Sequence, residues 1–518
     1  MSTSRDRGRA VDEPVDVAVV GYGPVGMATA ALVGRAGHTV TVLERYAGLY
    51  NLPRAATFDD ETMRSFARLG IAERLRPTLR VQPSYEWRNS AGDLLIQQRF
   101  AEVGRSGWPE WNMMYQPALE DALDELCRST RGVEVRLDSR VTALEQDAER
   151  VTLRTADGSH ITARYVVACD GGNSFVRHAL GVDQDDYGFA EPWMVCDFRL
   201  RRRIEDIGLP PALQLGDPRQ PTSVISLGAQ HHRFSFMLDA EEDFETERPP
   251  EKVWARVARW LSPDDAELIR VATYTFRSLV AHRWRVGRVL LAGDAAHQMP
   301  PFLGQGMCSG VRDAQNVAFK LDLILRGALD DTVLETYQSE REPHVRAVIE
   351  KGVELGRMQT IRDPDRAAER DRALLARRSE AAEPEGFRFP GLGPGLFGAG
   401  GGALSVQGRV DDGTRVDRLD QLVGAGFHLL VGEDALARLD LDALRAAGVR
   451  VVAFGERPGA GGVVVDVDGT YARWFDELGA TAVAVRPDLY VFGAGSDPTA
   501  VSAELLSAFA PVPALAER

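Results

Sequence analysis

The sequence predicts an α/β protein with a βαβ unit at its start, a strand-rich middle and a smaller α/β domain at its end. Three observations predict this class. A strand–helix–strand pattern opens the chain, short strand patterns follow one another between residues 132 and 280, and strands alternate with helices again after a glycine-rich stretch. The length of 518 residues corresponds to roughly three domains of ~150 residues each.

Composition and charge exclude several classes of protein. The net charge of −15 disfavours nucleic-acid binding, because an acidic chain repels phosphates. Residues 1–14 lack the apolar core of a signal peptide, and no apolar run is long enough to predict a membrane span. The four cysteines show no metal-ligand spacing, so we expect no metal site and a reduced, cytoplasmic setting.

The opening unit consists of two buried strands and the helix between them. Val15–Val20 and Val40–Leu43 are apolar and β-branched, as in a buried parallel sheet. Pro24–Ala36 has helical character and ends at Gly37.

The middle of the chain alternates in the manner of strands. Val151–Thr155 and His160–Val167 flank the turn Ala156-Asp157-Gly158, a hairpin pattern. His231–Leu238 places Phe234, Phe236 and Leu238 on one face. A further strand is predicted at Val289–Ala292, and long helices at Asp313–Leu325 and Thr332–Leu355.

The end of the chain has its own pattern. Residues 359–385 suggest an exposed helix or loose segment, and Gly386–Gly408 reads as a linker. Beyond it, Glu433–Ala447 and Tyr471–Leu478 look helical. Strands are predicted at 427–432, 449–454, 463–466, 481–485 and 489–493.

The first motif that carries chemistry is Gly21-Tyr22-Gly23-Pro24-Val25-Gly26, between the first strand and the first helix. Its glycines allow a tight turn, a close approach to a pyrophosphate and close packing of helix on strand. Glu44 follows at the end of the second strand, where an acid can accept from ribose hydroxyls. The sequence therefore predicts a dinucleotide site, and the acid favours FAD or NAD over NADP.

Two later motifs place an aspartate where a strand meets a helix. One is Cys169-Asp170-Gly171-Gly172, which continues to Arg177; the other is Gly293-Asp294-Ala295-Ala296-His297, followed by the loop Gln298–Gly306. A single aspartate of this kind is usually a helix cap. Two of them after a dinucleotide motif indicate a ligand at the carboxyl ends of the strands.

The three motifs resemble those of the class A, single-component FAD-dependent aromatic monooxygenases, the p-hydroxybenzoate hydroxylase-like group. VVACDGG, RVLLAGDAAH, Pro53-Arg54-Ala55, Asp59-Asp60-Glu61, Gln116-Pro117 and Thr336-Tyr337-Gln338 are most similar to the 3-(3-hydroxyphenyl)propionate hydroxylase subgroup. The resemblance covers about residues 15–355.

The resemblance implies a glutathione reductase-type FAD-binding Rossmann domain with an inserted β-sheet substrate domain. The monooxygenase region would be 15–385, with the substrate sheet mainly from 81–115 and 185–280, and the linker 386–408. Residues 409–518 resemble the thioredoxin-like domain of phenol hydroxylase relatives. No cysteine follows Cys308, which leaves that domain a structural role or a role in a homodimer.

The resemblance also implies which residues contact FAD. Asp294 would bind the ribityl chain, and Asp170 belongs to a motif linked with FAD and NAD(P)H use. The full set of cofactor residues is Gly21, Gly23, Pro24, Val25, Gly26, Glu44, Arg45, Arg54, Gln116, Val141, Asp170, Asp294, Pro301, Gly304, Gly306, Met307 and Cys308. Cys308 departs from the family, which commonly has Asn there, and Leu303 stands where a further Gly is frequent.

In this family NAD(P)H reduces the FAD, O2 adds at the flavin C4a, and the hydroperoxide transfers an OH group to an electron-rich ring. The cofactors implied are FAD with NADH or NADPH, and the substrates are O2 and a phenolic or polycyclic aromatic molecule. Alternatives with the same fold are Baeyer–Villiger insertion, antibiotic inactivation and a flavin-binding module without oxygenase activity.

No side-chain nucleophile is required, so the catalytic residues stay open. His231 and His297 are candidate bases, because His titrates near neutral pH. The alternatives are an exposed turn for His231 with His232, and a structural role for His297. Candidate substrate residues are Met113, Tyr115, Trp193, Arg233, Phe236 and Pro300, with Arg233 a possible partner for a substrate carboxylate.

Overall fold

Four β-sheets organise the chain in the computed structural model, which describes residues 14–239, 242–380, 389–459 and 461–509. The described strands are β1 (Val15–Val20), β2 (Val40–Leu43), β3 (Thr57–Asp59), β4 (Arg80–Val81), β5 (Ser84–Asn89), β6 (Leu94–Arg99), β7 (Trp111–Met113), β8 (Val133–Arg136), β9 (Val141–Gln146), β10 (Val151–Thr155), β11 (His160–Ala168), β12 (Gln184–Leu200), β13 (Ala212–Gly216), β14 (Thr222–Leu227), β15 (His231–Met237), β16 (Ala266–Ala281), β17 (Arg285–Val286), β18 (Val289–Leu291), β19 (His297–Gln298), β20 (Arg409–Asp411), β21 (Val416–Arg418), β22 (Phe427–Gly432), β23 (Val449–Phe454), β24 (Val463–Asp466), β25 (Ala482–Val485) and β26 (Val491–Gly495).

The described helices are α1 (Pro24–Arg35), α2 (Asp60–Arg68), α3 (Ala72–Leu75), α4 (Gln116–Ser129), α5 (Phe175–Ala179), α6 (Phe244–Glu247), α7 (Pro250–Val257), α8 (Gly306–Leu325), α9 (Glu335–Gln359), α10 (Pro364–Glu380), α11 (Leu419–Val423), α12 (Leu441–Ala446), α13 (Thr470–Leu478) and α14 (Pro498–Ser507). Short 3-10 turns connect several of them. None of the described helices is both long and apolar enough to cross a membrane.

The first sheet contains the opening βαβ unit. Its strand order is β17-β18-β11-β1-β2-β8, and β18, β11, β1, β2 and β8 run parallel. Val19 of β1 lies opposite Val167 on one side and Val42 on the other, and it is fully buried. A strand that is covered on both faces consists almost entirely of apolar residues, as these strands do. The α/β class and the Rossmann arrangement predicted from the sequence are confirmed.

The second sheet, in the order β19-β16-β12-β15-β14-β13-β5-β6, has two different faces. On one face, Phe234 and Phe236 of β15 pack with Val253 and Val257 of α7 in a separate apolar cluster. Alternation along β15 sends Arg233 and Ser235 to the other face, which is turned toward the first sheet.

The C-terminal sheet has the order β21-β20-β24-β23-β22-β25-β26. Apolar clusters cover both of its faces, and one of them includes Phe319 and Leu323 of α8. The sheet thus shares a core with the helix that follows the Gln298–Gly306 loop. Its thioredoxin-like character and the domain boundaries stay predictions.

The glycine-rich segment is described from residue 389 onward, and it packs against the monooxygenase region that precedes it. Leu396 N–H donates to Glu340 Oε1 at 2.7 Å, and Gln407 N–H donates to the Arg105 carbonyl at 2.9 Å. Ser405 accepts from Arg64 of α2, which also pairs with Asp420 at 2.7 Å. Residues 386–388 of the predicted linker lie outside the described residues.

A buried ionic cluster joins the C-terminal sheet to α8 and α9. Arg486 donates to Glu340 at 2.7 Å and to Asp488 at 2.5 Å, and Lys320 lies 2.9 Å from Glu340. Asn316 also donates to Glu340 and Asp488. The side chains of Arg486, Glu340 and Lys320 are fully shielded from solvent.

Two predicted helical stretches differ in detail. The single helix predicted over Glu433–Ala447 is a 3-10 turn at Glu433–Arg438 followed by α12, because Leu439 adopts an extended conformation and Asp440 caps the new helix. The stretch 359–385 contains α10 up to Glu380, and residues 381–385 are outside the described part.

Candidate active site

A cavity of about 400 Å³ lies between the motif loops of the first sheet and the inner face of the second sheet. Residues of both sheets and of the connecting loops line it. They are Gly23, Pro24, Val25, Arg54, Ala55, Ala56, Thr57, Tyr85, Trp111, Met113, Gln116, Cys169, Gly171, Trp193, Val195, Ala212, Gln214, Ser223, Ile225, Arg233, Ser235, Tyr274, Phe276, Ala292, Asp294, Met299, Pro301, Phe302, Gly304, Gly306 and Met307.

Two helices begin at the cavity wall. The N-terminus of α1 at Gly23-Pro24 and that of α8 at Gly306-Met307 have no side-chain cap. The first backbone N–H groups of a helix have no partner within the helix, and with the helix dipole they favour negative charge. The cavity therefore offers two anion-binding ends.

Three polar side chains complete this side of the cavity. The Arg54 guanidinium makes no hydrogen bond to the described residues and lies 4.5 Å from the Tyr50 ring centre. Gln116 holds the same loop, because its Oε1 accepts from the N–H groups of Arg54 and Ala55 at 3.0 and 2.6 Å. Asp294 has a carboxylate without a hydrogen-bond donor among the described residues. Desolvation at the cavity wall raises the pKa of this carboxyl, and the charges of His297 and Arg54 partly offset the effect.

A buried arginine positions the loop before α8. Arg312 donates to Gln305 at 2.9 Å, to Glu61 at 2.7 Å and to Asp59 at 2.5 Å. Gly304 in this loop has φ of 63°, and a Cβ there would lie 2.4 Å from a methyl carbon of Thr57. A side chain at position 304 would therefore clash with Thr57 and displace the loop.

Seven residues of the predicted cofactor set do not line the cavity. Asp170 accepts from Ser174 at 2.5 Å and from the Val176 N–H at 3.1 Å, as a cap of α5 does. Glu44 accepts from the backbone N–H groups of Tyr22 and Tyr46 at 2.8 and 3.0 Å. The others are Gly21, Gly26, Arg45, Val141 and Cys308.

The Cys308 side chain is turned into the core, where its Sγ lies 3.7 Å from the Gly304 carbonyl. Burial raises the pKa of the thiol to about 12. The departure from the family's Asn therefore places a neutral, fully buried group behind the loop. The other three cysteines also have a pKa raised by burial, to about 11 for Cys127 and about 12 for Cys169 and Cys196.

The predicted substrate residues divide into two groups. Met113, Trp193 and Arg233 line the cavity. Phe236 does not, because its face of β15 packs against α7. Tyr115 stacks on His231 at 3.8 Å between ring centres, and Pro300 is buried beside Gly352 of α9.

Arg233 lines the cavity but has other partners there. Its guanidinium donates to both carboxylate oxygens of Asp197, at 2.6 and 3.0 Å, and to the carbonyls of Pro53 and Arg54. Arg270 also pairs with Asp197, at 3.3 Å. In this arrangement the Arg233 guanidinium is held by partners within the protein, and its role as the partner of a substrate carboxylate stays a prediction.

Neither histidine candidate reaches the cavity. Burial lowers the pKa of His231, which stacks on Tyr115 at the far end of β15. His232 is fully buried beside Phe234, so the two do not form an exposed turn pair. His297 is hydrogen-bonded to Asp313 at 2.6 Å, and Asp313 also accepts from Arg341. This buried arrangement favours a structural role for His297 over a role as a base.

Sequence reasoning missed several cavity residues. The polar ones are Tyr85, Gln214, Ser223, Ser235 and Tyr274, and the aromatic ones are Trp111, Phe276 and Phe302. Ser235 could have been found, because alternation along β15 puts it opposite the aromatic face. The strands that carry Gln214 and Ser223 have no motif to mark them.

Comparison with known proteins gives the family. A model of the FAD binding domain family matches residues 14–352, and one of the HcaD C-terminal domain matches residues 402–508. A protein of Rhodococcus jostii (strain RHA1), named probable NADH-specific resorcinol 4-hydroxylase, is 48% identical over 96% of both chains. A 3-(3-hydroxy-phenyl)propionate/3-hydroxycinnamic acid hydroxylase of Mycobacterium avium (strain 104) is 32% identical over 94% of this chain and 90% of its own.

The chain belongs to the FAD-binding family of aromatic hydroxylases. The predicted resemblance and the FAD cofactor are thereby confirmed. The flavoprotein also shares its fold with the flavin-dependent monooxygenase PieE, solved with FAD and substrate. That structure has a TM-score of 0.80 at 24% identity and covers 96% of this chain and 99% of its own.

The cavity of the flavoprotein fits FAD. Two uncapped helix ends and the free Arg54 guanidinium suit its anionic parts, and the unpartnered Asp294 carboxylate suits the hydroxyl donors of its ribityl chain. When bound, FAD supplies the redox chemistry, taking a hydride from NAD(P)H and passing electrons to O2. The N-termini of α1 and α8 would hold FAD, and the apolar wall of Trp193, Phe276 and Phe302 would exclude water.

We expect Asp294→Asn to weaken the binding of FAD, because this carboxylate lies at the cavity and accepts no hydrogen bond from a described residue. The FAD affinity of the variant, measured by flavin fluorescence, should fall by roughly 10-fold, as for the loss of one or two hydrogen bonds. Unchanged affinity would contradict the assigned role, and Asp147→Asn, at an exposed turn, is the control.

Proposed function

We propose that this flavoprotein hydroxylates a small, uncharged dihydroxybenzene of the resorcinol class, with NADH as the electron donor. The reaction balances as ArH + O2 + NADH + H⁺ → ArOH + NAD⁺ + H2O. One oxygen atom enters the ring and the other leaves as water.

The observation that carries the proposal is that both arginines of the inner sheet face beside the cavity already have partners within the protein. Arg233 and Arg270 are the cations on this face beside the cavity, and Asp197 together with the carbonyls of Pro53 and Arg54 occupies them. The Arg54 guanidinium is assigned to FAD, so a substrate carboxylate would find no free cation on this face to offset its desolvation. An uncharged ring with hydroxyl groups has no such cost, which favours it over a phenylpropionate.

The identity of the relatives supports the same substrate class. The relative at 48% identity is named for resorcinol and NADH, whereas the one at 32% is named for substrates that carry a carboxylate.

The test is turnover of the FAD-loaded protein in air. We expect resorcinol to stimulate NADH oxidation more than 3-(3-hydroxyphenyl)propionate does, and NADPH to be the poorer donor. Mass spectrometry with ¹⁸O2 should show one labelled oxygen in a trihydroxybenzene, and NMR should show an intact ring, which excludes Baeyer–Villiger insertion. A flavin-loaded preparation whose NADH oxidation does not respond to resorcinol would overturn the proposal and favour a flavin-binding module without oxygenase activity.

A further inference from the structure

A row of side chains crosses the inner face of the second sheet at the cavity. Gln214 on β13 lies opposite Ser223 on β14, Ser223 lies opposite Ser235 on β15, and Ser235 lies opposite Val195 on β12. Side chains of directly paired residues point to the same face at a spacing of about 5 Å. All four line the cavity, so its wall changes from polar at β13 to apolar at β12.

Gln214 is the residue of this row that has a buried polar atom without a hydrogen-bond partner among the described residues. It is only 2% exposed, and its Nε2 donates to the Tyr85 hydroxyl and, at 3.0 Å, to Ser223 Oγ. Its Oε1 is buried and has no hydrogen-bond partner among the described residues. A buried amide oxygen without a donor is unfavourable, and such a group requires a ligand or a water molecule.

Tyr85 supplies the complementary group. Its hydroxyl oxygen accepts from Gln214 Nε2 and is also hydrogen-bonded to the Ser223 side chain. With Ser223 as the donor, the proton of the Tyr85 hydroxyl is available to a ligand. The pair therefore presents one acceptor, Gln214 Oε1, and one donor, the Tyr85 O–H. A phenolic hydroxyl both donates and accepts, and it matches this pair where a carboxylate, an ether or a halogen does not.

The rest of the wall suits the ring that carries such a hydroxyl. Trp193 and Phe276 stack with ring centres 5.6 Å apart, and Phe302 meets Phe276 edge-on at 6.4 Å. Aromatic groups of this kind pack against the faces and edges of a substrate ring. The polar pair then fixes how the ring is turned within an apolar slot.

We propose that Gln214 and Tyr85, with Ser223 holding the amide, form a subsite that binds a hydroxyl group already present on the substrate ring. This inference rests on the proposed function, since it names how the same cavity recognises a dihydroxybenzene. Gln214 and Tyr85 act as specificity-determining residues through direct contact with that hydroxyl.

The experiment measures binding without turnover. Resorcinol and 1,3-difluorobenzene, a ligand of similar size without hydroxyl donors, are titrated into the oxidised, FAD-loaded protein and followed by the change in flavin absorbance. Wild type should bind resorcinol at least about 10-fold more tightly, as expected for two hydrogen bonds. Gln214→Leu should bring the two affinities within about twofold by weakening resorcinol, and Tyr85→Phe should reduce the ratio about threefold with little change of shape.

Gln97→Leu on the neighbouring strand β6 is the matched control, because Gln97 does not line the cavity. The subsite is overturned if wild type does not discriminate between the ligands, or if Gln214→Leu and Tyr85→Phe keep the wild-type ratio. Equal weakening of both ligands also overturns it, since that indicates a general collapse of the cavity. Because no NADH is present, loss of discrimination in the variants supports the subsite even if turnover of resorcinol fails.

Discussion

Replacing Gly26 by alanine should yield a protein that no longer retains FAD. A Cβ at position 26 would lie 2.1 Å from the Gly21 carbonyl oxygen, which belongs to the rigid turn after β1. Backbone cannot yield as a flexible side chain can, so α1 must move away from the sheet. A displacement of ~1 Å at a precisely built site can cost roughly 100-fold in function, and we expect FAD affinity to fall by at least that factor.

The measurement is the ratio of flavin to protein absorbance after purification, followed by reconstitution with added FAD. Gly48→Ala is the matched control, because a Cβ there meets no atom within 4 Å and the site is far from the motif in the chain. Gly23→Ala adds a second comparison. Its Cβ also meets no protein atom within 4 Å, so this variant should keep wild-type thermal stability and lose affinity only through contact with the cofactor. Stoichiometric FAD in Gly26→Ala would refute the packing argument.

Replacing Arg486 by methionine should strongly destabilise the fold without touching the cavity. The substitution leaves Glu340 and Asp488 buried with Lys320 as their remaining cation. Removing one partner from a buried ionic cluster typically costs about 3–5 kcal/mol, because the remaining charge is not solvated. Thermal unfolding followed by circular dichroism should show a transition well below that of wild type.

Arg409→Met is the control, since Arg409 forms an exposed pair with Asp468 on the same sheet. Exposed pairs contribute little, so that variant should unfold like wild type.

Acid titration tests the same cluster. Despite burial, the charges of Arg486 and Lys320 lower the pKa of Glu340 to about 2, so its contribution is intact above 4.5 and is lost as the pH falls toward 2. Equal unfolding temperatures for Arg486→Met and Arg409→Met would show that the cluster is not stabilising.

Local spacing explains what could be predicted. The turn from Gly21 to Gly26, the strand before it and the helix after it are contiguous, so residue pattern alone defines them. The same holds for Asp294 and for the loop that leads into α8.

What could not be predicted depends on contacts between distant residues. Period-2 alternation shows that Phe236 and Ser235 lie on opposite faces of β15, but it does not show which face meets a helix and which meets the ligand. The aromatic face was expected at the substrate, and the structure buries it under α7. Arg312 and Asp59 are 253 positions apart and Arg64 and Asp420 are 356 apart, and neither pair has a sequence pattern.

The raised pKa values of the four cysteines have a chemical consequence. An enzyme that passes electrons to O2 generates hydrogen peroxide whenever the substrate is not oxidised, and peroxide attacks thiolates rather than thiols. With pKa values of about 11 to 12, every cysteine of this chain stays protonated at neutral pH, including the one directly behind the flavin loop. The cysteines therefore react slowly with peroxide, and a cysteine introduced on the surface would be the most reactive thiol for a chemical label.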